Sequence, residues 1–332
     1  MDPSDRAEQL GVGEDADTAG RLPNLIIAGV SKGGTTSLFS YLGQHPDICG
    51  SDIKELRYFA PLRHGGELGP IGEYAHHFRH CTGYRYAVEA TPGYYYGGRP
   101  MARGLQDVCP DVHVLVSLRA PDERCWSWFR FVKSRLRIPK DMSFDAYLDR
   151  CEELHRGGVD GDLEHQAFWG LGGGCYDVWF DSWVEELGER FRVVFFEDVA
   201  RDPAGVVRDI CRWLRLDEGV VDEFTFPVEN RTEPYRAAGL QRVAVASNRR
   251  GEQFFRRHRT AKRLIRSAYY AVNRQPSSEE LPPAARARLA EFYRPHNARL
   301  AEQLSSAGVE PPTWLRNQER RTDLGPAVTP PR

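Results

Sequence analysis

Apolar residues along this chain fall into two alternating patterns, short continuous runs and stripes at helical spacing. Leu25 to Ala28 is a continuous apolar run, the form taken by a strand buried on both faces. Further strand-like runs lie within 85–90, 112–119 and 192–197. Helical stripes fall between and after them: Leu38, Tyr41 and Leu42; Phe144, Tyr147, Leu148 and Cys151; Tyr176, Trp179, Phe180, Trp183 and Leu187; Val206, Val207, Ile210, Trp213 and Leu214. Pro121, with acids just after it, marks another helix start. A last stripe runs from Leu289 through Phe292, Tyr293, His296 and Leu300 to Leu304. Strand and helix in alternation predict one α/β domain over 22–315, without internal repeats. Its parallel sheet should hold four or five strands, with helices on both faces and a helical C-terminal region. The acidic segment 1–21 and the Pro-rich segment 316–332 read as disordered tails.

The turn after the first run is glycine-rich, Gly29 to Gly34, and leads directly into a helix. That order presents free backbone N–H groups at the positive end of a helix dipole, which is a phosphate-binding loop. A nucleoside-triphosphatase loop reads G-x-x-x-x-G-K-[ST] and needs its lysine beside a Mg²⁺-holding hydroxyl. Here Gly29 and Gly34 keep the spacing, but Thr35 stands at the lysine position and the lysine is Lys32, inside the loop. The run at 112–119 ends on Arg119, where a Mg²⁺ site wants an acid. A Mg²⁺-dependent kinase or other NTPase is therefore the disfavoured alternative.

Composition narrows the classes. The 332 residues carry a formal net charge of −2, which gives no global field for nucleic acid. No apolar run reaches the roughly 18 residues of a membrane span, and nothing resembles a signal peptide. Seven cysteines lack C-x-x-C or metal spacing, so free thiols in a reducing, cytoplasmic setting are expected. His64, His76, His77 and His80 have no metal-site partners in sequence and read as surface residues. Segment 241–274 is the exception to the even charge, with ten Arg or Lys plus His258 against Glu252. It suits nucleic acid, an anionic membrane surface, or a basic helical cover over an anionic ligand. A non-catalytic module that binds an anionic polymer through it is a second alternative.

Lys32-Gly33-Gly34-Thr35-Thr36-Ser37-Leu38 resembles the K-x-G-T-T-x-L loop of sulfotransferases that use 3′-phosphoadenosine 5′-phosphosulfate (PAPS). Lys54-Glu55-Leu56-Arg57-Tyr58-Phe59 resembles the K-E-x-x-[YF]-F segment of their heparan-sulfate-type branch. Arg119 to Ser127 resembles their R-x-P-x-x-R-x-x-S segment. The resemblance implies a P-loop-like sulfotransferase fold, PAPS as donor, 3′-phosphoadenosine 5′-phosphate (PAP) as product, and no metal requirement. It implies that Lys32 and the N–H groups of Gly33, Gly34, Thr35, Thr36 and Ser37 hold the 5′-phosphosulfate. Arg119 and Ser127 would grip the 3′-phosphate, and Tyr176 would border the nucleotide. Glu55 would be the general base, with His45 its rival because cytosolic members use histidine. The V-E-[KA]-[TS]-P-x-Y segment would set Glu89, Thr91 and Tyr94 near the acceptor, although Ala90 stands where some relatives have lysine. Glu197, Asp198 and Asp202 match an F-E-D-L-x-x-D-P pattern and are expected to cap and orient. Arg249 and Arg250 are candidates for late contacts to the 3′-phosphate. The expected acceptor is a hydroxyl or amine of a carbohydrate or small molecule.

Overall fold

The computed structural model describes residues 20–159, 161–227 and 280–316. Five parallel strands form one sheet: β1 (Leu25–Gly29), β2 (Ile48–Gly50), β3 (Tyr86–Ala90), β4 (His113–Leu118) and β5 (Phe191–Phe195), in the order β2-β3-β1-β4-β5. Leu25 pairs with Val88 on one side and His113 on the other, which fixes β1 as the central strand. Pairing between parallel strands requires crossovers, and the helices supply them. These are α1 (Thr35–Leu42), α2 (Ile71–His76), α3 (Gly98–Val108), α4 (Pro121–Ser134), α5 (Phe144–Arg156), α6 (Asp177–Leu187), α7 (Phe196–Arg201), α8 (Pro203–Trp213) and α9 (Pro283–Ser306).

Alternate residues of each strand face opposite layers. Ile26, Ala28, Val114 and Val116 enter a core shared with α3, α4, α5, α6 and α9. Leu25, Ile27, Val88 and Leu115 enter a second core shared with α1 and α8. Burial on both faces explains why these strands read as unbroken apolar runs. The helical C-terminal region is α9. Leu289, Tyr293, Leu300 and Leu304 anchor it in the first core, and Arg286 pairs with Asp122 and Glu123 at the start of α4.

The edge strand β2 is not among the expected runs, because its three residues are too short to stand out as one. That strand carries Cys49 to Cys81, Cα to Cα 5.4 Å, and the two form a disulfide. The expectation of seven free thiols is corrected for this pair. The argument for a reducing compartment loses its basis with it. Cys109, Cys125, Cys151, Cys175 and Cys211 are free and buried. The basic segment 241–274, with Arg249 and Arg250, lies outside the described residues, as do most of the two tails.

Candidate active site

The carboxyl ends of β3, β1 and β4 lie side by side, and the motifs sit on them in the order Glu55, Lys32, Arg119. Open parallel sheets bind ligands at this edge, where the chain crosses from one side of the first strand to the other. The loop after β1 is pinned to β4: Val30 N–H donates to the Ser117 carbonyl at 3.0 Å, and Ser117 Oγ donates to the Gly33 carbonyl at 2.6 Å. A Cβ on Gly33 would lie 2.4 Å from the Ser117 carbonyl oxygen, so no larger residue fits. Gly33 N–H is taken by the Val30 carbonyl at 2.9 Å, so its part is steric and the expected ligand contact is corrected. The first bond of α1 runs from Leu38 N–H to the Gly34 carbonyl. The N–H groups of Gly34, Thr35, Thr36 and Ser37 therefore precede the helix ladder, at the end of the helix where the dipole favours an anion.

Lys32 adopts a left-handed backbone, φ 74°, a conformation that costs a non-glycine residue about 1–3 kcal/mol and persists only where the surroundings impose it. Its carbonyl accepts from Arg119 Nη1 at 3.3 Å, and its ammonium lies 4.8 Å from the Phe131 ring centroid. Burial, and then Arg119, Arg135, Arg130 and Arg124, pull its pKa down from 10.5 to about 8. Cations are thus concentrated around the loop. Arg119 packs its guanidinium 4.5 Å from the Phe196 ring centroid and reaches Glu123 only at 3.7 Å. Its Nε is buried without a hydrogen-bond partner among the described residues. Ser127, half-buried, lies one turn before Phe131 on α4.

Glu55 stands on the other side, and its backbone is left-handed too, φ 64°, as is Arg57 at 60°. Lys54 Nζ lies 3.4 Å from one of its carboxylate oxygens and Arg57 3.6 Å from the other. The turn is held from below. Glu55 N–H donates to the Ala90 carbonyl at 3.1 Å, Arg57 N–H to Thr91 Oγ1 at 3.3 Å, and Phe59 N–H to the Tyr94 hydroxyl at 3.2 Å. Those two hydroxyls donate in turn to Glu89 Oε1, at 2.6 and 3.0 Å, and Tyr74 donates to Glu89 Oε2 at 2.6 Å. Using up their protons leaves both hydroxyls as acceptors for the turn. Burial raises the Glu89 pKa, opposed by the hydroxyls of Thr91, Tyr74 and Tyr94. Glu89, Thr91 and Tyr94 are 0%, 3% and 0% exposed, so the expectation of acceptor contact is corrected: they support the Glu55 turn.

Three further residues fall behind the site. Tyr176, 1% exposed, donates to the Arg119 carbonyl at 2.8 Å and so holds the arginine in place from behind. His45 is 2% exposed; its Nδ1 accepts from Asp47 N–H and its Nε2 meets the Asp217 carbonyl, each at 3.0 Å, which fits a structural role. Arg124, fully buried, donates to the carbonyls of Trp169 and Gly170 at 2.8 and 2.7 Å and reaches the Ser31 carbonyl at 3.5 Å. Sequence reasoning quoted Arg124 within a motif but gave it no task, and missed Ser117 and Phe196. Glu197 accepts from Ala120 N–H at 2.9 Å and Asp202 caps α8 through Gly205 N–H at 2.9 Å, as expected of them.

No family model matches the chain. It is 22% identical over 331 residues, 97% of its length, to the human bifunctional heparan sulfate N-deacetylase/N-sulfotransferase 1, covering 34% of that protein. It is 34% identical over 131 residues to the membrane-associated sulfotransferase kil1 of Dictyostelium discoideum, covering 37% of this chain and 27% of that one. The chain thus spans about a third or less of the curated relatives it matches. Among solved structures, a sulfotransferase from Alicyclobacillus acidocaldarius shares the fold, with TM-score 0.63 and 23% identity over 89% of this chain and 99% of that one.

Proposed function

We infer that the chain is a sulfotransferase, like the relatives it resembles, and that it moves a sulfuryl group from PAPS to a hydroxyl or amine of an acceptor. The observation that carries this reading is the cluster of cations at the loop, where burial first, and then Arg119, Arg135, Arg130 and Arg124, hold the Lys32 pKa near 8. Such a cluster suits an anionic ligand. The residues present fit PAPS. The N–H groups from Gly34 to Ser37 suit its 5′-phosphosulfate. Arg119, whose Nε is unpartnered among the described residues, and the Ser127 hydroxyl suit the 3′-phosphate.

When bound, PAPS supplies the sulfuryl group and a phosphate leaving group. Lys32 and the loop N–H groups stabilise the charge gathering on that phosphate as its oxygen–sulfur bond breaks. Arg119 would hold the 3′-phosphate and so position the donor for transfer. Glu55 takes the proton released as the acceptor oxygen or nitrogen bonds to sulfur. The left-handed turn keeps this carboxylate at the strand edge in a fixed orientation, bracketed by Lys54 and Arg57. The names of the relatives support a carbohydrate acceptor.

The test presents PAPS with glucosamine-containing oligosaccharides, bearing either free or blocked amines, and measures sulfated product and PAP. Product from wild type, with at least about 10² less from Glu55→Gln at unchanged PAP affinity, supports the assignment. Undiminished transfer by Glu55→Gln removes Glu55 from the base role. Absence of PAP release with every acceptor tried contradicts the reading itself.

A further inference from the structure

Next to Tyr176 in the chain, three metal-binding side chains converge from three separate elements. Cys175 follows the Gly172–Gly174 turn, His155 lies near the end of α5, and His296 lies in α9. One ligand atom from each is within 4.8 Å of the other two. Cys175 is 2% exposed and the histidines are partly buried. His296 Nδ1 sits 2.8 Å from Asp177 Oδ1, and Arg299 Nε donates to the other Asp177 oxygen at 2.7 Å. The Asp177 side chain is 3% exposed. A histidine held through one nitrogen by a buried carboxylate offers its other nitrogen in a fixed tautomer and orientation, the usual outer partner of a metal-bound imidazole.

We propose that His155, Cys175 and His296 form a zinc-binding site, with Asp177 orienting His296. A thiolate and two imidazoles are the ligand types zinc takes, and water fills the fourth position. Zinc–sulfur and zinc–nitrogen distances of about 2.3 and 2.0–2.1 Å put tetrahedral ligand atoms about 3.3–3.6 Å apart. The cluster therefore closes by at most about 1.2–1.5 Å, within the reach of side-chain rotation at the partly exposed His155. Binding exchanges the Cys175 sulfur–hydrogen bond for a sulfur–zinc bond and releases one proton, with no oxidant or reductant needed. The ion ties α5 and α9 to the segment whose next residue, Tyr176, holds Arg119. It takes no part in the chemistry proposed for Lys32 and Glu55. Of the two comparable clusters, Cys49–His80–Cys81 has both sulfurs in the disulfide, and Asp162–Glu164–His165 lies at the surface.

The test titrates the full chain, stripped of metal, with cobalt(II) and then zinc(II). Wild type should show a thiolate-to-cobalt charge-transfer band that saturates at one equivalent, is bleached by zinc, and releases one proton per ion. Cys175→Ser should lose the band and His296→Gln should weaken binding at least about tenfold. Asp177→Asn should weaken it about tenfold, and Cys211→Ser should keep it. A wild type without the band overturns the proposal whatever the variants do. A band of undiminished strength in Cys175→Ser overturns it as well.

Discussion

The two sides of the β1 carboxyl end are built on opposite electrostatic plans. On the β4 side, Lys32 lies among arginines: Arg119 meets Glu123 at 3.7 Å, and its Nε is buried without a hydrogen-bond partner among the described residues. On the β3 side, the buried Glu89 carboxylate is satisfied by three hydroxyls, and those hydroxyls hold the Glu55 turn. A buried polar group is expensive unless paired. Its partners therefore reveal its task. Glu89, with every oxygen engaged, is a scaffold; Lys32 and Arg119 gather positive charge at the loop, the arrangement an anionic ligand suits.

Breaking the open side should have the largest effect. Lys32→Ala should lower turnover by roughly 10²–10³, the scale for losing one preorganised donor at a developing charge. Because it also removes a cation crowded by arginines, its Tm should be no lower than wild type in thermal denaturation. Arg119→Ala should weaken PAP binding by about ten- to a hundredfold, as expected for a charged hydrogen bond worth about 1.5–3 kcal/mol, measured by calorimetry.

Breaking the closed side should show in stability instead. Glu89→Ala strands three buried hydroxyls and loosens the Glu55 turn; a loss of about 2–3 kcal/mol in denaturant unfolding is expected, with PAP affinity little changed. A large fall in PAP affinity would erase the distinction between the two sides.

Titration sharpens the contrast with the smallest effect. The Lys32 pKa near 8 lies below its ordinary 10.5. Between those values the unfolded chain holds more protons, so stability should rise with pH across the window. Dianion binding should run the other way, because above pH 8 the free lysine must first regain its proton. PAP affinity is expected to fall by up to about tenfold per pH unit past 8, and Lys32→Arg should flatten the profile.

Much of this was legible in sequence because the signals are local. The doubly buried strands appear as unbroken runs, and the glycine loop shows its displaced lysine within one turn. What stayed hidden depends on residues distant in sequence. β2 is three residues long and known only by its pairing with β3. Thr91 and Tyr94 look like ligand contacts until burial and bond direction show that they hold Arg57 and Phe59 from beneath. Arg124 reads as one more motif arginine until Trp169 and Gly170 close over it. His155, Cys175 and His296 share no motif at all, and only the packing of α9 brings them together.

The central claim is that the open side was built for a PAPS-type donor held without a metal. Calorimetry of PAP binding in EDTA, with Mg·ATP as competitor, tests it most directly. The account predicts PAP binding that is indifferent to EDTA and resistant to ATP. Failure of PAP to bind, with tight Mg·ATP binding in its place, would contradict it and return the chain to the NTPase reading.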